Sequence, residues 1–590
     1  MTNSNVKDPI IYQTLEESNN SFLNSLSSNI SDVYPDDKNI LLSYPTVYIH
    51  DFKNINGKHN VYVGETNNII SRTKEHYNAS KNDKAWQRCF ETYDGNPSLY
   101  IIGHAHFNKS LTLDIENRIL NYMYAMDTVN MAYNSRPNPQ SNYYPDEELE
   151  PIFNKIWNKL RRLDKDLFLS QSRIKESAIY KASPLHKLTH DQEHAQEKIV
   201  SRVASAIKNN KTNQLVFVEG GAGTGKTVLT SSTFYELVQG LEDENAEPIK
   251  CCLLVNHDEQ HDVYKEIVRK LNLFDGQLDD IVCKPTHFIN KYSKDNMVDV
   301  AFVDEAHLLL TQGRMAYTGK NQLADIMERA RVTVVMFDRF QVLASEEYWE
   351  PEILDRFISI AKKDNNYIEL SKQLRVVADD NTIEWLDKFT KDLVIEDLLP
   401  DSKGYEVKTV DTPEDLYKLI SNKANYKDSN LSRIVATYDW EYNIDNRPEK
   451  EKYWEVKIGD FHKPWNRELQ KDMDRKQKNR IKNLAWAEQP QTIDEIGSTY
   501  TIQGFDLSYA GVILGPSIKF RNGKIEIDPD CSCSGKAKKN RTLSDGVTVM
   551  NYAKEFIQNE LRILMTRGVY GLYIYACDDA LREELNRRIK

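Results

Sequence analysis

Cysteine is scarce in this sequence, and long apolar runs do not occur in it. Seven cysteines in 590 residues are too few for a disulfide framework. Cys531 and Cys533 form a lone C-x-C pair, for which a zinc site and an ordinary loop both stay open. No apolar run approaches the roughly 20 residues that a membrane-spanning helix needs, and the polar N-terminus lacks the pattern of a signal peptide. These absences predict a reducing, cytoplasmic setting and no membrane partner.

Basic residues are in the minority. The chain has 77 Lys and Arg against 89 Asp and Glu, which gives a net charge of -12. This balance argues against a generally basic nucleic-acid-binding surface, although a local groove can be basic on an acidic molecule. The length predicts three or four domains, and the 40% of apolar residues is enough to form their cores.

The most informative segment that is present reads GGAGTGKT, at residues 220–227. It follows the apolar residues 215–218 and precedes a helical pattern, which is the context of a phosphate-binding loop. Its glycines would let backbone N–H groups surround the phosphates; they are Gly220, Gly223 and Gly225. Lys226 would reach the β- and γ-phosphates, and the Thr227 hydroxyl would hold Mg²⁺. ATP and Mg²⁺ are therefore the predicted cofactors.

A second acidic motif lies about eighty residues further on. The apolar residues 298–303 predict a strand that ends at Asp304 and Glu305. Asp304 would hold Mg²⁺ directly or through water, and Glu305 would polarise the attacking water. Both motifs follow strands, and ligands of α/β sheets bind at the carboxyl ends of parallel strands.

Composition divides the chain into five predicted segments. Residues 1–40 are rich in Asn, Ser and Asp, which predicts a mobile N-terminal arm with one short helix. Short apolar strands alternate with helices after residue 186, which predicts parallel sheets. The other segments are a small α/β domain at 41–145, a helical connector at 146–185, a first lobe at 186–345 and a second lobe at 346–590 with an insertion near 440–495.

From the phosphate-binding loop onward the chain resembles superfamily 1 helicases, and more narrowly the Schlafen group 3-like helicase domain family. The matching motifs run in order along some 400 residues; they are Thr189–Gln192, Val334–Gln341, Gln373–Arg375, Thr499–Asp506 and Asn559–Arg567. The resemblance implies two RecA-like parallel-sheet lobes. It also implies that Gln192 reads the adenine, that Gln341 senses the γ-phosphate, and that Arg375 and Arg567 are arginine fingers.

Residues 44–134 contain a second set of polar residues on two strands and two helices. The set resembles the GIY-YIG endonuclease family over about 90 residues; its members are Tyr48, Tyr62, Arg72, His76, Glu116 and Asn134. The first signature, at residues 46–48, lacks its glycine, whereas the second, at residues 62–64, departs only by Val for Ile. The resemblance implies a small α/β nuclease domain that uses Mg²⁺ or Mn²⁺.

The resemblance also assigns roles within that domain. Glu116 would hold one divalent metal ion, and Arg72 would pair with phosphate oxygens. Tyr48, near Tyr62 or His76, would help to take a proton from water, although a phenol is a poor base at its ordinary pKa of about 10. Asn134 would order the site. An inactive copy of the domain stays an alternative.

Together these patterns predict an ATP-driven enzyme that acts on nucleic acid, DNA in preference to RNA, and carries a nuclease. Defence against foreign nucleic acid is the biological role that this combination suggests. An ATP-gated sensor that licenses the nuclease without unwinding, and a non-enzymatic nucleic-acid tether, stay open. Assembly into homo-oligomers is not decided by the sequence.

Overall fold

The computed structural model describes residues 7–16, 20–54, 56–78, 97–134, 143, 146–239, 249–273, 276–313, 317–426, 429, 431–481, 484–502 and 505–589. The chain divides by its internal contacts into two compact units. Unit 1 comprises Met1–Leu188 and Val263–Leu278, and unit 2 comprises Thr189–Asp262 and Asp279–Lys590.

A five-stranded sheet lies at the centre of unit 1. Its strands are β1 (Ile10–Leu15), β2 (Thr46–Lys53), β3 (His59–Thr66), β4 (Ser98–Gly103) and β5 (Val129–Tyr133). They lie in the order β1-β4-β2-β3-β5, with antiparallel pairing except between β3 and β5. The sequence predicted β2 and β3, whereas β1, β4 and β5 are additions that the structure reveals.

Helices surround this sheet. In the described part of unit 1 they are α1 (Asn20–Val33), α2 (Lys38–Leu42), α3 (Ile69–Asn78), α4 (Lys109–Ala125), α5 (Leu149–Leu163), α6 (Gln171–Glu176) and α7 (Ala178–Lys181). Tyr122 of α4 packs against two rings of α5, at 4.9 Å from Phe153 and 4.8 Å from Trp157 between centroids. The helical connector predicted at 146–185 therefore contributes to the core of unit 1.

The N-terminal segment differs from the mobile arm that the sequence predicted. Strand β1 pairs along its whole length with β4. Ile11 and Tyr12 of β1 are buried, as are Leu26 and Ile30 of α1. These apolar side chains gain free energy by leaving water, so the segment joins the unit 1 core although its surrounding composition is polar.

Residues 263–278 were assigned to the first lobe by the sequence but belong to unit 1. The buried Lys270 ammonium donates hydrogen bonds to the carbonyls of Tyr124 (3.0 Å) and Met126 (2.7 Å). A cation at the carbonyl end of a helix is favourable, so Lys270 stabilises the last turn of α4.

The described residues of unit 2 form two larger sheets and three small two-stranded sheets. The strands are β6 (Gln214–Gly220), β7 (Cys251–Leu254), β8 (Val282–Cys283), β9 (Val298–Val303), β10 (Ala330–Phe337), β11 (Tyr367–Leu370), β12 (Glu406–Thr409), β13 (Arg433–Ala436), β14 (Glu455–Ile458), β15 (Phe461–Pro464), β16 (Ile496–Gly497), β17 (Leu507–Leu514), β18 (Ile518–Arg521), β19 (Lys524–Ile527), β20 (Arg541–Thr542), β21 (Val549–Met550) and β22 (Gly568–Ala576).

Both larger sheets are parallel. The first has the order β11-β6-β10-β9-β7-β8 and the second the order β12-β22-β17-β13-β16. Residues 215–218 of β6 are buried, as expected for a strand covered on both faces. The α/β class with parallel sheets is thus confirmed. Strand β11 extends the first sheet past residue 345, where the sequence placed the end of the first lobe.

Helices connect these strands. In the described part of the chain they are α8 (His190–Lys208), α9 (Lys226–Gln239), α10 (Asp258–Lys270), α11 (Pro285–Lys291), α12 (Gln322–Met327), α13 (Pro351–Lys363), α14 (Asp380–Asp387), α15 (Pro413–Ala424), α16 (Glu468–Lys471), α17 (Arg475–Ile481), α18 (Thr499–Ile502), α19 (Gly535–Lys538), α20 (Ala553–Met565) and α21 (Asp579–Arg588). The predicted insertion near 440–495 contains the hairpin β14–β15 and the short helices α16 and α17.

A segment between β19 and α20, which we call the strap (residues 534–552), ties the two sheets of unit 2 together. Ala537 packs in the hydrophobic core of the first sheet. The Arg541 side chain is 2% exposed and donates to the Ser345 carbonyl (2.6 Å) and to the Thr311 hydroxyl (3.0 Å). It also pairs with Glu350 at 3.2 Å. The strap therefore lies in sequence between β17 and β22 of the second sheet and is held by loop residues that flank the strands of the first sheet.

Glu560 of α20 is a buried carboxyl whose charge opposes folding. It is 5% exposed and accepts hydrogen bonds from the Tyr438 backbone N–H (3.2 Å) and the Thr499 hydroxyl (3.4 Å). Burial, with a smaller contribution from nearby Asp439, raises the pKa of Glu560 to about 8. In the unfolded chain the same group ionises near its ordinary value of 4.5. The contribution of neutral Glu560 to the free energy of unfolding is therefore fully present below the unfolded pKa of 4.5, and it is lost as the pH rises toward 8.

Glutamine does not ionise, so Glu560→Gln should raise the melting temperature at about pH 8 and change it little at about pH 5. The wild type loses about 1.4 kcal/mol of unfolding free energy per pH unit between the unfolded and folded pKa values of Glu560. Thermal unfolding at both pH values measures this difference. The exposed residue Glu583 offers the matched control Glu583→Gln. An equal shift of Glu560→Gln at both pH values would contradict the titration.

Candidate functional sites

The segment Gly220–Thr227 forms the turn between β6 and α9. Gly223 and Gly225 both have φ of +78°, a conformation that side chains with a Cβ rarely adopt. A Cβ atom at Gly223 would lie 2.6 Å from Cβ of Arg375, and one at Gly225 would collide with the Gln192 amide. The loop therefore requires these glycines, as a backbone cradle for phosphate does.

Lys226 begins α9 and turns its ammonium into the loop. It donates hydrogen bonds to the carbonyls of Gly220 (2.7 Å) and Gly221 (2.9 Å), and it is 6% exposed. The carboxylate of Asp338 lies 3.6 Å away. Burial alone would raise the pKa of Asp338, but the charges of Lys226 and His307 and the hydrogen bonds from Gln341 and the Phe340 backbone together outweigh burial, so the pKa is lowered. A buried cation inside a glycine loop fits a triphosphate with Mg²⁺.

The acidic residues lie where neighbouring parallel strands end. Asp304 follows β9, and its carboxylate accepts hydrogen bonds from the Gln260 amide (2.7 Å) and the Glu305 backbone N–H (3.0 Å). Glu305 has φ of +50° and lies 3.4 Å from Nε2 of the buried His307. Thr227 on α9 is half-buried, and its hydroxyl and the Asp304 carboxylate are oxygen ligands of the kind that Mg²⁺ prefers, so both stay predicted ligands.

Two predicted nucleotide-sensing glutamines are held at the same loop. Gln341 donates to Asp338 at 2.7 Å, beside Lys226. Gln192 forms a capping box with Thr189 at the start of α8, and its amide donates to the carbonyl of Gly225 at 3.4 Å. The adenine-reading role of Gln192 and the γ-phosphate-sensing role of Gln341 stay predictions.

The two predicted arginine fingers also reach this region. Arg375 pairs with Asp506 at 2.5 Å, and its neighbour Leu374 donates a backbone hydrogen bond to the carbonyl of Gly223 at 2.7 Å. Arg567 is 1% exposed. Burial and the charge of Arg375 lower the pKa of Arg567 to about 10, so the group remains a cation at neutral pH.

Sequence reasoning gave no role to several residues that the structure places at the nucleotide site. These residues contact the predicted ones: Asp338 lies beside Lys226, Gln260 donates to Asp304, His307 lies beside Glu305, and Asp506 pairs with Arg375. Asp338 follows strand β10 as Asp304 follows β9, a strand-end signal that was readable in the sequence. Gln260 lies in a helix without a distinctive pattern, so no local signal marks it.

The second predicted site lies in unit 1, on β2, β3 and α3. The Tyr48 hydroxyl is hydrogen-bonded to Nε2 of His76 at 2.9 Å and accepts a hydrogen bond from Nε of Arg72 at 3.3 Å. The ring of Tyr62 lies 5.2 Å from that of His76 between centroids. Four of the six predicted nuclease residues thus form one contiguous cluster.

Glu116 and Asn134 complete this cluster. Asn134 follows β5 with φ of +73°, and its amide donates to Glu116 (2.8 Å) and to the carbonyl of Val63 (2.9 Å). Across β3 and β5, Tyr62 pairs with Tyr133, the residue before Asn134. Asn134 therefore fixes the carboxylate of α4 against β3, as the ordering role requires.

Burial determines the proton chemistry of the two tyrosines. It raises the pKa of both Tyr48 and Tyr62 above the ordinary value of 10.0. Both phenols are consequently neutral at physiological pH. The Tyr48 hydroxyl therefore keeps its proton, and Nε2 of His76 is its hydrogen-bond partner.

The metal-binding side chains of the described residues are dispersed. No cluster of three or more His, Cys, Asp or Glu side chains occurs among them that could hold a metal ion. This applies to Cys531 and Cys533, both present as free thiols, which leaves the C-x-C pair without further ligands of that kind. A metal ion at Glu116 would therefore take water and phosphate oxygens as its other ligands, as one-carboxylate Mg²⁺ sites do.

The fold and the loop define a helicase-like nucleotide-binding protein. The family model described as "Schlafen group 3, DNA/RNA helicase domain" matches residues 213–578, more than half of the chain. The chain belongs to this family. A relative, an uncharacterized protein of Saccharomyces cerevisiae, is 32% identical over 440 residues, which cover 68% of this chain and 91% of the relative.

Solved structures of helicases are also similar at low identity. The PRRSV helicase is 11% identical with a TM-score of 0.25, and the match covers 64% of this chain and 54% of that chain. This chain thus spans about half the length of that helicase. A structure of Pif1 helicases that unwind forked double-stranded DNA is 11% identical with a TM-score of 0.25, and the match covers 66% of this chain and 92% of that chain. Pif1 helicase from Candida albicans is 16% identical with a TM-score of 0.22, and the match covers 41% of this chain and 55% of that chain.

None of the helices in the described ranges is both long and apolar enough to cross a membrane. The family match covers most of unit 2 and residues 263–278 of unit 1, and it leaves the Tyr48 cluster of unit 1 without a family assignment. The nuclease resemblance of residues 44–134 stays a prediction from the sequence motifs.

Gly64 offers a direct test of the unit 1 geometry. It pairs with Tyr48 across β2 and β3, and a Cβ added there would collide with the Tyr48 hydroxyl and lie 2.5 Å from Cζ. Gly64→Ala should displace Tyr48 from His76, and lower the melting temperature by several degrees because overpacking costs about 1–3 kcal/mol. Gly535→Ala is the matched control, since nothing lies within 4 Å of a Cβ there. A Gly64→Ala protein as stable as the control would contradict the packing.

Proposed function

We propose that this protein is an ATP-dependent, helicase- or translocase-like ATPase of nucleic acid that carries a GIY-YIG endonuclease in unit 1. The contacts among the six predicted residues of unit 1 carry the nuclease half of the proposal, because these residues come from two strands, two helices and the end of a third strand. The family membership and the phosphate loop support the ATPase half.

In the ATPase, the loop glycines and Lys226 bind the phosphates of ATP. Thr227 and Asp304 are the residues that would hold Mg²⁺, which neutralises phosphate charge when bound. Glu305 orients the attacking water, and its left-handed backbone turns the carboxylate toward His307. Arg375 and Arg567 supply positive charge to the transferring phosphoryl group, in a buried setting where such charge acts strongly.

In the nuclease, Glu116 would hold one divalent ion, which supplies an activated water and charge neutralisation when bound. Arg72 binds a non-bridging oxygen of the scissile phosphate. Tyr48 positions the water and relays its proton to His76. Asn134 orients Glu116, and Tyr62 separates the acidic from the basic side of the cluster.

Nucleic acid is the common substrate of both halves, with DNA favoured over RNA. Exposed basic side chains of α17, at Arg475, Lys476 and Arg480, offer contacts to a phosphate backbone on an otherwise acidic molecule. Defence against foreign nucleic acid is the role that this combination would serve in a cell.

Cleavage and ATP hydrolysis should be separable by single substitutions. Glu116→Gln should abolish Mg²⁺-dependent cleavage of plasmid DNA while ATP hydrolysis continues, because the carboxylate is lost only from unit 1. Lys226→Ala should abolish ATP hydrolysis, because the cation that contacts the phosphates is gone. Cleavage is followed by gel electrophoresis and hydrolysis by phosphate release.

The exposed residue Glu147 provides the matched control Glu147→Gln, which should cut and hydrolyse as the wild type does. Cutting that survives Glu116→Gln would reject the nuclease assignment. Salt-sensitive DNA binding without any Mg²⁺-dependent change in the DNA would instead favour the non-enzymatic tether.

An ATP-gated sensor that licenses the nuclease without unwinding is a second candidate, and the strap favours it. The buried Arg541 contacts join the two sheets that a translocating enzyme would have to move apart and together in each cycle. Removing one partner of such a buried pair costs about 3–5 kcal/mol, so large repeated opening at this point is expensive.

A displacement assay separates the two candidates. Streptavidin is bound to a biotin at the end of a single strand, and its release is followed with ATP and Mg²⁺. A sensor should hydrolyse ATP in response to the strand and leave the streptavidin in place. Release by the wild type but not by Lys226→Ala would rule out the sensor and establish movement along the strand.

A further inference from the structure

Arg562 is a buried arginine beside the phosphate loop to which the proposed mechanism gives no role. It lies on α20, five residues before Arg567. Its guanidinium carbon lies 4.3 Å from the centre of the Phe340 ring, and Nη2 lies 3.5 Å from the Asp387 carboxylate. The side chain is 14% exposed.

The loop is close to this guanidinium. A Cβ added at Gly221 would have Nη2 of Arg562 as its neighbour at 4.0 Å. The carbonyl of Gly221 accepts a hydrogen bond from Lys226, the residue that reaches the β- and γ-phosphates in such loops. Arg562 is therefore at the end of the loop where the terminal phosphate of ATP would lie.

The charge of Arg562 is only partly compensated. Nη1 is buried and has no hydrogen-bond partner within the part of the chain that is described. Burial lowers the pKa of the guanidinium, which nonetheless stays protonated because arginine does not lose its proton in proteins. A buried cation with a free donor is unfavourable unless an anion is supplied. The Asp387 carboxylate pairs with Nη2 of the guanidinium and leaves Nη1 without an acceptor in the described residues.

The surroundings leave room for the side chain to move. Arg562, Phe340 and Lys391 line a cavity of about 370 Å³. Arg375, by contrast, is tied to Asp506, and Arg567 donates to the carbonyl of Phe505 at 3.3 Å. Arg375 and Arg567 also have a buried donor without a partner in the described residues, but Arg562 combines such a donor with a cavity and a weak ion pair.

We propose that Arg562 contacts the terminal phosphate of bound ATP and thereby makes this site distinguish ATP from ADP. The guanidinium leaves Asp387 and donates from Nη1 and Nη2 to the γ-phosphate, a contact that ADP cannot provide. Arg562 is thus a third arginine at the site, in addition to the two that the helicase motifs predict. The inference rests on the proposed ATPase function.

Nucleotide binding without turnover tests this role. The full-length protein is titrated, in the presence of Mg²⁺, with fluorescent derivatives of ADP and of the non-hydrolysable analogue adenylyl imidodiphosphate. Arg562→Ala should weaken binding of the analogue by about tenfold or more, the effect of losing a charge-assisted hydrogen bond, and change ADP binding by less than about twofold. Arg562→Lys should lie between Arg562→Ala and the wild type, since lysine keeps the charge but loses the planar fork.

The control and the contrary results are distinct. Arg587→Ala removes an arginine whose side chain is 62% exposed on α21 and should bind both nucleotides as the wild type does. Retained ADP binding also shows that Arg562→Ala is folded. If Arg562→Ala keeps the wild-type ratio of the two affinities, or loses both equally, the inference is wrong. If the wild type binds neither nucleotide, the ATPase proposal itself fails.

Discussion

The parallel pairing of β6, β10 and β9 is the constraint on which the nucleotide site depends. Phe337 at the end of β10 lies opposite Glu219 of β6, and Val335 lies opposite Val303 at the end of β9. Because parallel strands end at one edge of a sheet, this register brings the phosphate loop, Asp304 and Asp338 to the same edge. The loop carries the cation and the strand ends carry the carboxylates, so opposite charges meet where a metal-bound phosphate would be bound.

In unit 1 the packing of the sheet brings together two neutral phenols, a cation and a carboxylate, which belong to Tyr48, Tyr62, Arg72 and Glu116. The absence of a side chain at Gly64 makes space for the Tyr48 hydroxyl, and the pairing of β2 with β3 sets Tyr48 beside that glycine. Asn134 then ties Glu116 to the same strand. Because these residues come from separate elements, the whole sheet must fold before the cluster exists.

Much of this arrangement could be predicted from the sequence, since local patterns mark the phosphate loop and the buried parallel strands. Strand β1 could not, because its apolar residues stand within a polar segment and its partner β4 is distant in sequence. The strap could not be predicted either, since the burial of Arg541 depends on residues distant in sequence, namely Thr311, Ser345 and Glu350. Arg562 carries no local signal beyond its proximity to Arg567, and the contact with Phe340 that distinguishes it is tertiary.

The central claim is that one chain holds a nucleotide site and a separate one-metal nuclease site. Crystals grown with Mn²⁺ and a non-hydrolysable ATP analogue test it most directly, because manganese is located by its anomalous scattering. The account predicts one anomalous peak beside the Thr227 hydroxyl and another within coordination distance, about 2.1 Å, of the Glu116 carboxylate. A peak at the nucleotide with none at Glu116 would contradict it and leave an ATPase without a nuclease.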